Sequence, residues 1–336
     1  MDMTRLHRPL KTTDSWHWLK EGRVATRRCR VCSHAATPRL AVVGGGPAGI
    51  FTAIVAKQHT PGLEVVVYEA STEPLAKVLI SGGGRCNVTN VEEDPIELAQ
   101  QYPRGHRELR GRFFRTFGSH QTKEWFTRRG VELKAESDGR MFPTTDDSRT
   151  IADCLLGTAN DLGIQMRTRS QVVTVRREVD RDDRGNRFSI QVGKQDRGGN
   201  RDRANYVMLS TGSSRNGYAI AEQLGHSIQT PCPSLFTFKV KDAKLRAMAG
   251  VSIPDVEVEL ALPKGANLRR TPGLKQRGPL LFTHWGVSGP AVLKLSAWAA
   301  RELHGLRYKT TIVANLLPHV SNEDEMIGIV ESVRRA

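Results

Sequence analysis

No stretch of this chain comes near the ~18 uninterrupted apolar residues that a membrane-crossing helix requires, so no membrane span is expected. Cysteine is scarce: Cys29, Cys32, Cys86, Cys154 and Cys232 are the only five in 336 residues. An odd, scattered set is not a disulfide framework and points to a reducing compartment. Cys29-x-x-Cys32 has no second pair to complete a zinc site, so no metal is expected either. Acids are short against bases, 35 to 50, which leaves a net charge of +15. There is no zinc finger, no basic zipper and no RNA-reading aromatic motif. The charge therefore does not exclude nucleic acid as a partner, but a solvated basic surface with a basic leader is the expected account of it. No internal repeat is visible, and 38% hydrophobic residues suit one large or two modest soluble domains.

Two basic clusters supply much of the excess. One lies within residues 1–40. The other runs from Arg104 to Arg129 and interleaves aromatics in RGHRELRGRFFRTF. Residues 1–38 lack periodicity and carry Arg5, Arg8, Arg23, Arg27, Arg28 and Arg30 with few acids, the composition of an organelle transit peptide. This leads us to expect a plastid location, with mitochondrion or cytoplasm as alternatives and processing between residues 30 and 36. An upstream extension from a mis-chosen start codon would look the same.

What is present is a glycine-rich turn in the right setting. An apolar strand, Leu40 to Val43, runs into Gly44-Gly45-Gly46-Pro47-Ala48-Gly49, and a helix follows over Ile50 to Gln58. A second apolar strand, Leu63 to Tyr68, then ends on Glu69. This is the βαβ arrangement of a dinucleotide site. Gly44 permits the tight turn, Gly46 lets backbone approach a pyrophosphate, and Gly49 lets helix and strand pack closely. The helix amino terminus faces the phosphates. A carboxylate at Glu69 suits ribose hydroxyls and repels a 2′-phosphate, which favours FAD or NAD.

Further along, residues 75–81 read as a short amphipathic piece before the Gly82-Gly83-Gly84 loop. Ser119 is expected to cap a helix that stops at Gly130, and Val131 to Glu136 reads as a strand. Asp147 or Ser148 caps a helix from Thr150 to Leu162. QMRTRSQVVTVRREV and RFSIQV read as two β-rich runs joined by a hairpin turn at residues 182–186. KQDRGGNRDR reads as a polar loop, Tyr206 to Leu209 as a strand, and Tyr218 to Leu224 as a helix. Beyond Pro231, LFTFKV, VEVELAL and PLLFTH alternate with Pro/Gly turns, the texture of a β-rich insertion. The tail is expected to be helical from Ser321.

Three consecutive glycines in Ser81-Gly82-Gly83-Gly84-Arg85-Cys86-Asn87 are entropically costly unless a ligand needs bare backbone. Arg85 could then offer donors to a phosphate, and Asn87 could donate and accept. Cys86, beside Arg85, is a weak candidate for a low-pKa redox thiol; the competing reading is a packed, inert cysteine. His284, in FTHWGVSGP, is a weak acid–base candidate against a structural histidine. Ser210-Thr211-Gly212 follows an apolar strand and could bring backbone to the cofactor a second time. Val172 and Val173 read as core, with a backbone contact to adenine as the alternative.

Taken together, ISGGGRCNVTN (80–90), GRMFPTTD (139–146), LFTHWGVSGPAVLKLS (281–296) and GGGPAG resemble the YhiN/BaiN-type flavoproteins, in wording closest to a plant and cyanobacterial branch. The resemblance spans about residues 39–330. It implies an FAD-dependent oxidoreductase: a Rossmann-like FAD domain with an inserted β-rich domain carrying a small helical part. The expected division is a leader over 1–38, an FAD domain over 39–230 and the insertion over 231–336. By the resemblance, Gly44, Gly46, Gly49 and Glu69 hold the ADP half of FAD. Lys77, Ser81, Gly83, Arg85 and Asn87 line the pyrophosphate and flavin side, and Val173, Thr211 and Gly212 touch the adenine end. NADH or NADPH would serve as a transient electron donor to a small-molecule substrate. Two departures from the family pattern stand out. Leu75-Ala76-Lys77 replaces Gly-Arg-Lys. The carboxyl-terminal return with its Gly-Glu or Gly-Asp is not found before Ala336, as in a truncated chain. Rival readings are a non-catalytic nucleotide-binding protein and an FAD-dependent RNA-modifying enzyme.

Overall fold

The computed structural model describes residues 37–178, 187–193, 200–261 and 273–320, with Glu325 and Ile327. The leader with Cys29 and Cys32, the hairpin turn at 182–186 and nearly all of the expected tail helix lie outside them.

Four parallel strands form the central sheet. β1 (Arg39–Val43) and β2 (Glu64–Tyr68) lie side by side. β6 (Gln165–Arg167) flanks β2, and β10 (Tyr206–Leu209) flanks β1. Both inner strands are apolar runs buried on two faces, as a covered parallel sheet demands. Val42, Val65 and Val67 point to one side, onto α1 (Pro47–His59) and α7 (Ser148–Asp161), and share a core with Ile50, Ile54, Ile151 and Leu155. Ala41, Val43, Val66 and Tyr68 point to the other side. There they meet a three-stranded antiparallel meander, β7 (Val172–Arg177), β8 (Phe188–Val192) and β9 (Arg201–Ala204). The architecture is thus α/β, with helices and a β-meander on opposite faces of a Rossmann-type sheet.

Between β2 and β6 the chain forms α2 (Ala76–Ile80), a tight turn at Ser81–Gly83, and β3 (Thr89–Asn90). α3 (Pro95–Gln100) follows, capped by Asp94, and then α4 (His106–Glu108). A π-helical turn at Leu109–Phe113 leads to α5 (Phe114–Thr116) and α6 (Ser119–Thr127). β4 (Leu133–Ala135) and β5 (Arg140–Pro143) join β3 in a small antiparallel sheet. After β10 comes α8 (Arg215–Gln223).

The remaining strands all follow residue 237. β11 (Phe238–Lys239), β12 (Ser252–Ala261), β13 (Lys275–Thr283), β14 (Gly286–Ser288) and β15 (Thr311–Asn315) form one sheet in the order β11-β14-β13-β12-β15. α9 (Ala243–Ala247), α10 (Pro290–Trp298) and α11 (Ala300–Gly305) accompany it. Val256, Val258, Leu280 and Phe282 pack on Val292, Leu295 and Leu303 in a core of their own.

Three local expectations are corrected, and the choice left open at the start of α7 is decided. Gly118, not Ser119, is the cap of α6: Gln121 reaches back to accept the Gly118 N–H at 2.9 Å, while the Ser119 hydroxyl donates to the Glu92 carbonyl. Asp147, not Ser148, caps α7. The run 165–178 is not one strand, because Arg169 adopts a left-handed backbone (φ 51°) and divides β6 from β7. Residues 201–203 of the expected polar loop belong instead to strand β9.

Candidate functional site: a glycine cradle and the cavity beside it

The carboxyl ends of β1, β2 and β10 converge on the turn at 44–49. Gly44 donates its N–H to the Tyr68 carbonyl at 2.8 Å, which ties the turn to β2. From the other side the Ser210 hydroxyl lies 3.0 Å from the carbonyls of both Val43 and Gly44. The turn is closed so tightly that side chains are excluded. A Cβ on Gly49 would lie 2.0 Å from the Gly44 oxygen, and one on Gly44 (φ 109°) would lie 2.5 Å from the Ser210 oxygen. Gly46 differs: a Cβ there would meet nothing within 4 Å. That open space sits at the amino terminus of α1, where the first N–H groups lack helical partners and the dipole favours an anion.

Glu69 turns into the same cradle. Its carboxylate accepts the Gly45 N–H at 2.8 Å, and the Ser71 N–H and hydroxyl at 2.7 and 2.8 Å. Partial burial pushes its pKa up. The donors from Ser71 and Gly45 more than offset this and hold the carboxyl below the usual range. Lys77, the second residue of α2, extends toward the opposite lip, where a Cβ on Gly212 would lie 3.6 Å from its ammonium. The structure thus brings Gly44, Gly46, Gly49, Glu69, Lys77, Thr211 and Gly212 around one turn.

Beside it opens a cavity of about 400 Å³, walled by Pro47, Phe51, Phe117 and Trp125 and by Lys77, Ser81, Cys86 and Asn87. Phe51 packs its ring 5.1 Å from Phe117 and 5.3 Å from Trp125. The three glycines between Ser81 and Arg85 are not among the cavity walls, although the flanking Ser81, Cys86 and Asn87 are. Gly82, Gly83 and Gly84 all take positive φ, and a Cβ on Gly82 would sit 2.8 Å from the Asn87 nitrogen. Gly83 is exposed.

Several sequence candidates sit elsewhere. Arg85 is not a wall of the cavity: it pairs with Glu136 at 2.5 Å and Asp146 at 3.5 Å, with its guanidinium 4.1 Å from the centre of the Phe142 ring. Val173 is the extra residue of a bulge, since Val172 pairs with Val192 and Thr174 with Gln191. It lies on the meander, away from the cavity walls. His284 is exposed between β13 and β14. Sequence reasoning missed the aromatic walls Phe51, Phe117 and Trp125 and the bridging role of Ser210. Phe117 and Trp125 stand about seventy residues from the glycine turn and carry no local signal.

Cys86 is buried, and that burial raises its pKa despite a hydrogen bond from Ser81. This argues against a thiolate nucleophile. In the native protein at pH 8, carbamidomethylation of Cys86, followed by mass spectrometry, is expected to run roughly tenfold or more slower than in the guanidinium-unfolded chain. Equal rates would refute the protonated, shielded thiol.

Several known proteins are similar to this chain in sequence. The ribosomal RNA dihydrouridine synthase of Escherichia coli (strain K12) is 29% identical over 294 residues, 84% of this chain and 64% of that protein. The same-named protein of Haemophilus influenzae is 30% identical over 298 residues, 85% of this chain and 66% of that protein. The 3-dehydro-bile acid delta(4,6)-reductase of Clostridium scindens is 28% identical over 274 residues, 79% and 61% respectively. The chain thus spans somewhat under two thirds of the length of these relatives. The HI0933-like protein Rossmann domain matches residues 38–296, which include every strand of the central sheet, the cradle and the cavity. The chain belongs to the HI0933-like family.

Proposed function

We propose that this chain carries the nucleotide-binding part of a flavin-dependent reductase, with FAD as its resident cofactor and a double bond of uridine in RNA as the group reduced. The cradle carries the reading: backbone closed at Gly44 and Gly49, open at Gly46, with the Glu69 carboxylate turned into the same turn. These residues fit FAD. The α1 amino terminus suits the pyrophosphate, and Glu69 suits a ribose bearing a free 2′-hydroxyl. Lys77, Ser81 and Asn87 would hold the flavin side, with Thr211, Gly212 and the bulged Val173 toward the adenine.

The chemistry supplied by bound FAD is hydride transfer. The protein's part is position and dryness. Phe51, Phe117 and Trp125 exclude water from the cavity, and Cys86 adds a neutral wall. Lys77 adds a cation beside the phosphates. NADH or NADPH would refill the site as a transient donor.

The substrate class draws on the relatives. Dihydrouridine is uridine with two hydrogens added across one carbon–carbon double bond, and the bile acid reductase is named for similar chemistry. A net charge of +15 favours the polyanionic substrate over an apolar one. Residues 1–38 would direct the protein to a plastid, and the β-rich part beyond residue 231 would be a separate insertion.

The purified full chain is expected to show the absorption bands of oxidised flavin, either as isolated or after incubation with FAD, and to bleach anaerobically with NADH or NADPH. A folded protein that stays colourless and takes up no FAD would sink the flavoenzyme reading.

A further inference from the structure

The segment from Tyr102 to Thr116 lies outside the cradle and has no part in holding a nucleotide. It carries five arginines, Arg104, Arg107, Arg110, Arg112 and Arg115, against one acid, Glu108, and all six are exposed. Arg104 pairs with Glu302 of α11 at 3.6 Å. Among the described residues, the other four arginines have no ion pair. Four exposed arginines together without a carboxylate partner sum to a local positive field that attracts an anion.

Two aromatic rings stand among them. Phe113 is 64% exposed and Tyr102 is 43% exposed. Leaving a phenylalanine this far in water offers the folded protein nothing by itself. The segment is nonetheless held in place. Leu98, Ala99 and Phe114 form a small core under it, and Tyr102 packs 5.6 Å from Phe114. Gly111, with ψ −132°, breaks the helix and splays Arg110 from Arg112. The nearby acids Glu93, Asp94 and Glu97 are taken up locally, by His120, the α3 cap and Gln100.

The segment also leads to the cavity. The Phe117 N–H donates to the Phe113 carbonyl at 3.0 Å, so one turn separates the exposed ring from the cavity wall. Exposed arginines around exposed rings on an anchored segment match single-stranded RNA, whose phosphates take the cations and whose unstacked bases take the rings.

We propose that the Tyr102–Thr116 surface is where this protein grips single-stranded RNA and leads a base toward the cavity behind Phe117. The proposal rests on the RNA-reductase reading above.

The test uses the full chain loaded with FAD and a short fluorescent oligouridylate, with anisotropy measured across a salt series. Replacing Arg107, Arg110, Arg112 and Arg115 by alanine should lower the slope of log affinity against log salt by about 3, at ~0.7 per lost cation. Phe113→Ala should weaken binding about tenfold with the slope unchanged. Replacing Arg176, Arg177, Arg187 and Arg201, four exposed arginines of the meander, removes the same charge and should change affinity less than about threefold. Retained flavin and an unchanged melting temperature certify each fold. If the first variant and Phe113→Ala bind as the parent does, this surface is wrong while the RNA reading stands. Equal loss in the meander variant would assign binding to diffuse charge and overturn the proposal. A parent that binds no oligouridylate sinks the RNA reading, and the surface with it. A quadruple variant that keeps RNA but loses phosphatidylserine vesicles would make the surface a membrane contact instead.

Discussion

Replacing Gly49 by alanine is expected to abolish flavin retention and to destabilise the protein by about 2–3 kcal/mol, the upper range for forcing a methyl into a packed site. The new Cβ would stand 2.0 Å from the Gly44 oxygen and 2.7 Å from the Ser210 hydroxyl. Neither neighbour is the far end of a flexible side chain. The Gly44 carbonyl belongs to the turn, and the Ser210 hydroxyl that accompanies it is fixed by the carbonyls of Val43 and Gly44. Relief therefore requires α1 to move off β1, which opens the core that Ile50 and Ile54 share with Val42. Gly46→Ala is the matched control. Its Cβ meets nothing within 4 Å in the protein itself, so stability should change by less than ~1 kcal/mol, the scale of intrinsic helix and glycine effects. Its methyl would occupy the space proposed for pyrophosphate, so FAD affinity should still fall, by tenfold or more. Thermal melts of the FAD-free proteins and titration with FAD separate the two effects. If Gly46→Ala binds FAD as well as the parent, the pyrophosphate does not lie at the α1 amino terminus. If Gly49→Ala melts within a degree of the parent, the turn is softer than its geometry implies.

This contrast between two glycines three residues apart marks how far a sequence can be read. The βαβ unit was legible because its signals are local: apolar runs of strand length, a glycine turn and an acid after the second strand. The observed β1 and β2 match the expected strands within one residue at each end. That Gly49 serves packing and Gly46 serves open space followed from motif spacing, and the neighbouring atoms agree. Where the outcome depended on distant partners, the sequence said less. The break between β6 and β7 contains neither glycine nor proline. Arg169 and Ser170 are held in that turn by their N–H groups donating to the carbonyls of Ser71 and Glu69, about a hundred residues earlier. Arg85 looked like a phosphate ligand from its glycine neighbours, yet Glu136 and Asp146, at least fifty residues on, claim it. The cavity walls were invisible for the same reason. No local signal marks Phe117 and Trp125; only the fold sets them against Phe51.

Asp202 is the sharpest case of a residue the sequence disguised, and its loss should be the most damaging change far from the cradle. It lies in Arg201-Asp202-Arg203, which reads as polar loop but forms β9, with Asp202 facing the central sheet. Its carboxylate accepts the Tyr68 hydroxyl at 2.8 Å and an Arg167 N–H at 2.5 Å, with Arg39 at 3.9 Å. Tyr68 is 1% exposed, and burial, followed by this hydrogen bond, raises its pKa, so the phenol stays a donor. Asp202→Ala would leave a buried hydroxyl unsatisfied and the Arg167 guanidinium short of an acceptor, while Arg39 keeps its hydrogen bond to Glu64. About 2–3 kcal/mol is expected, below the 3–5 of a fully buried pair because Arg167 remains partly hydrated. Asp202→Asn keeps an acceptor for Tyr68 and should cost about half as much. Tyr68→Phe alone should cost ~1 kcal/mol, and in the double variant most of its cost should vanish, because the two partners share one hydrogen bond. Denaturant midpoints of the four proteins, at constant m-value, give the coupling. Single changes that simply add, or an alanine variant within ~0.5 kcal/mol of the parent, would deny that this network joins the meander to the sheet. The effect should also reach the cofactor site. The Tyr68 carbonyl holds the Gly44 N–H, and Glu69 follows it in the chain, so a Tyr68 released from Asp202 loosens both anchors of the cradle. FAD affinity is therefore expected to fall severalfold in Asp202→Ala, although no atom of residue 202 lines the cavity.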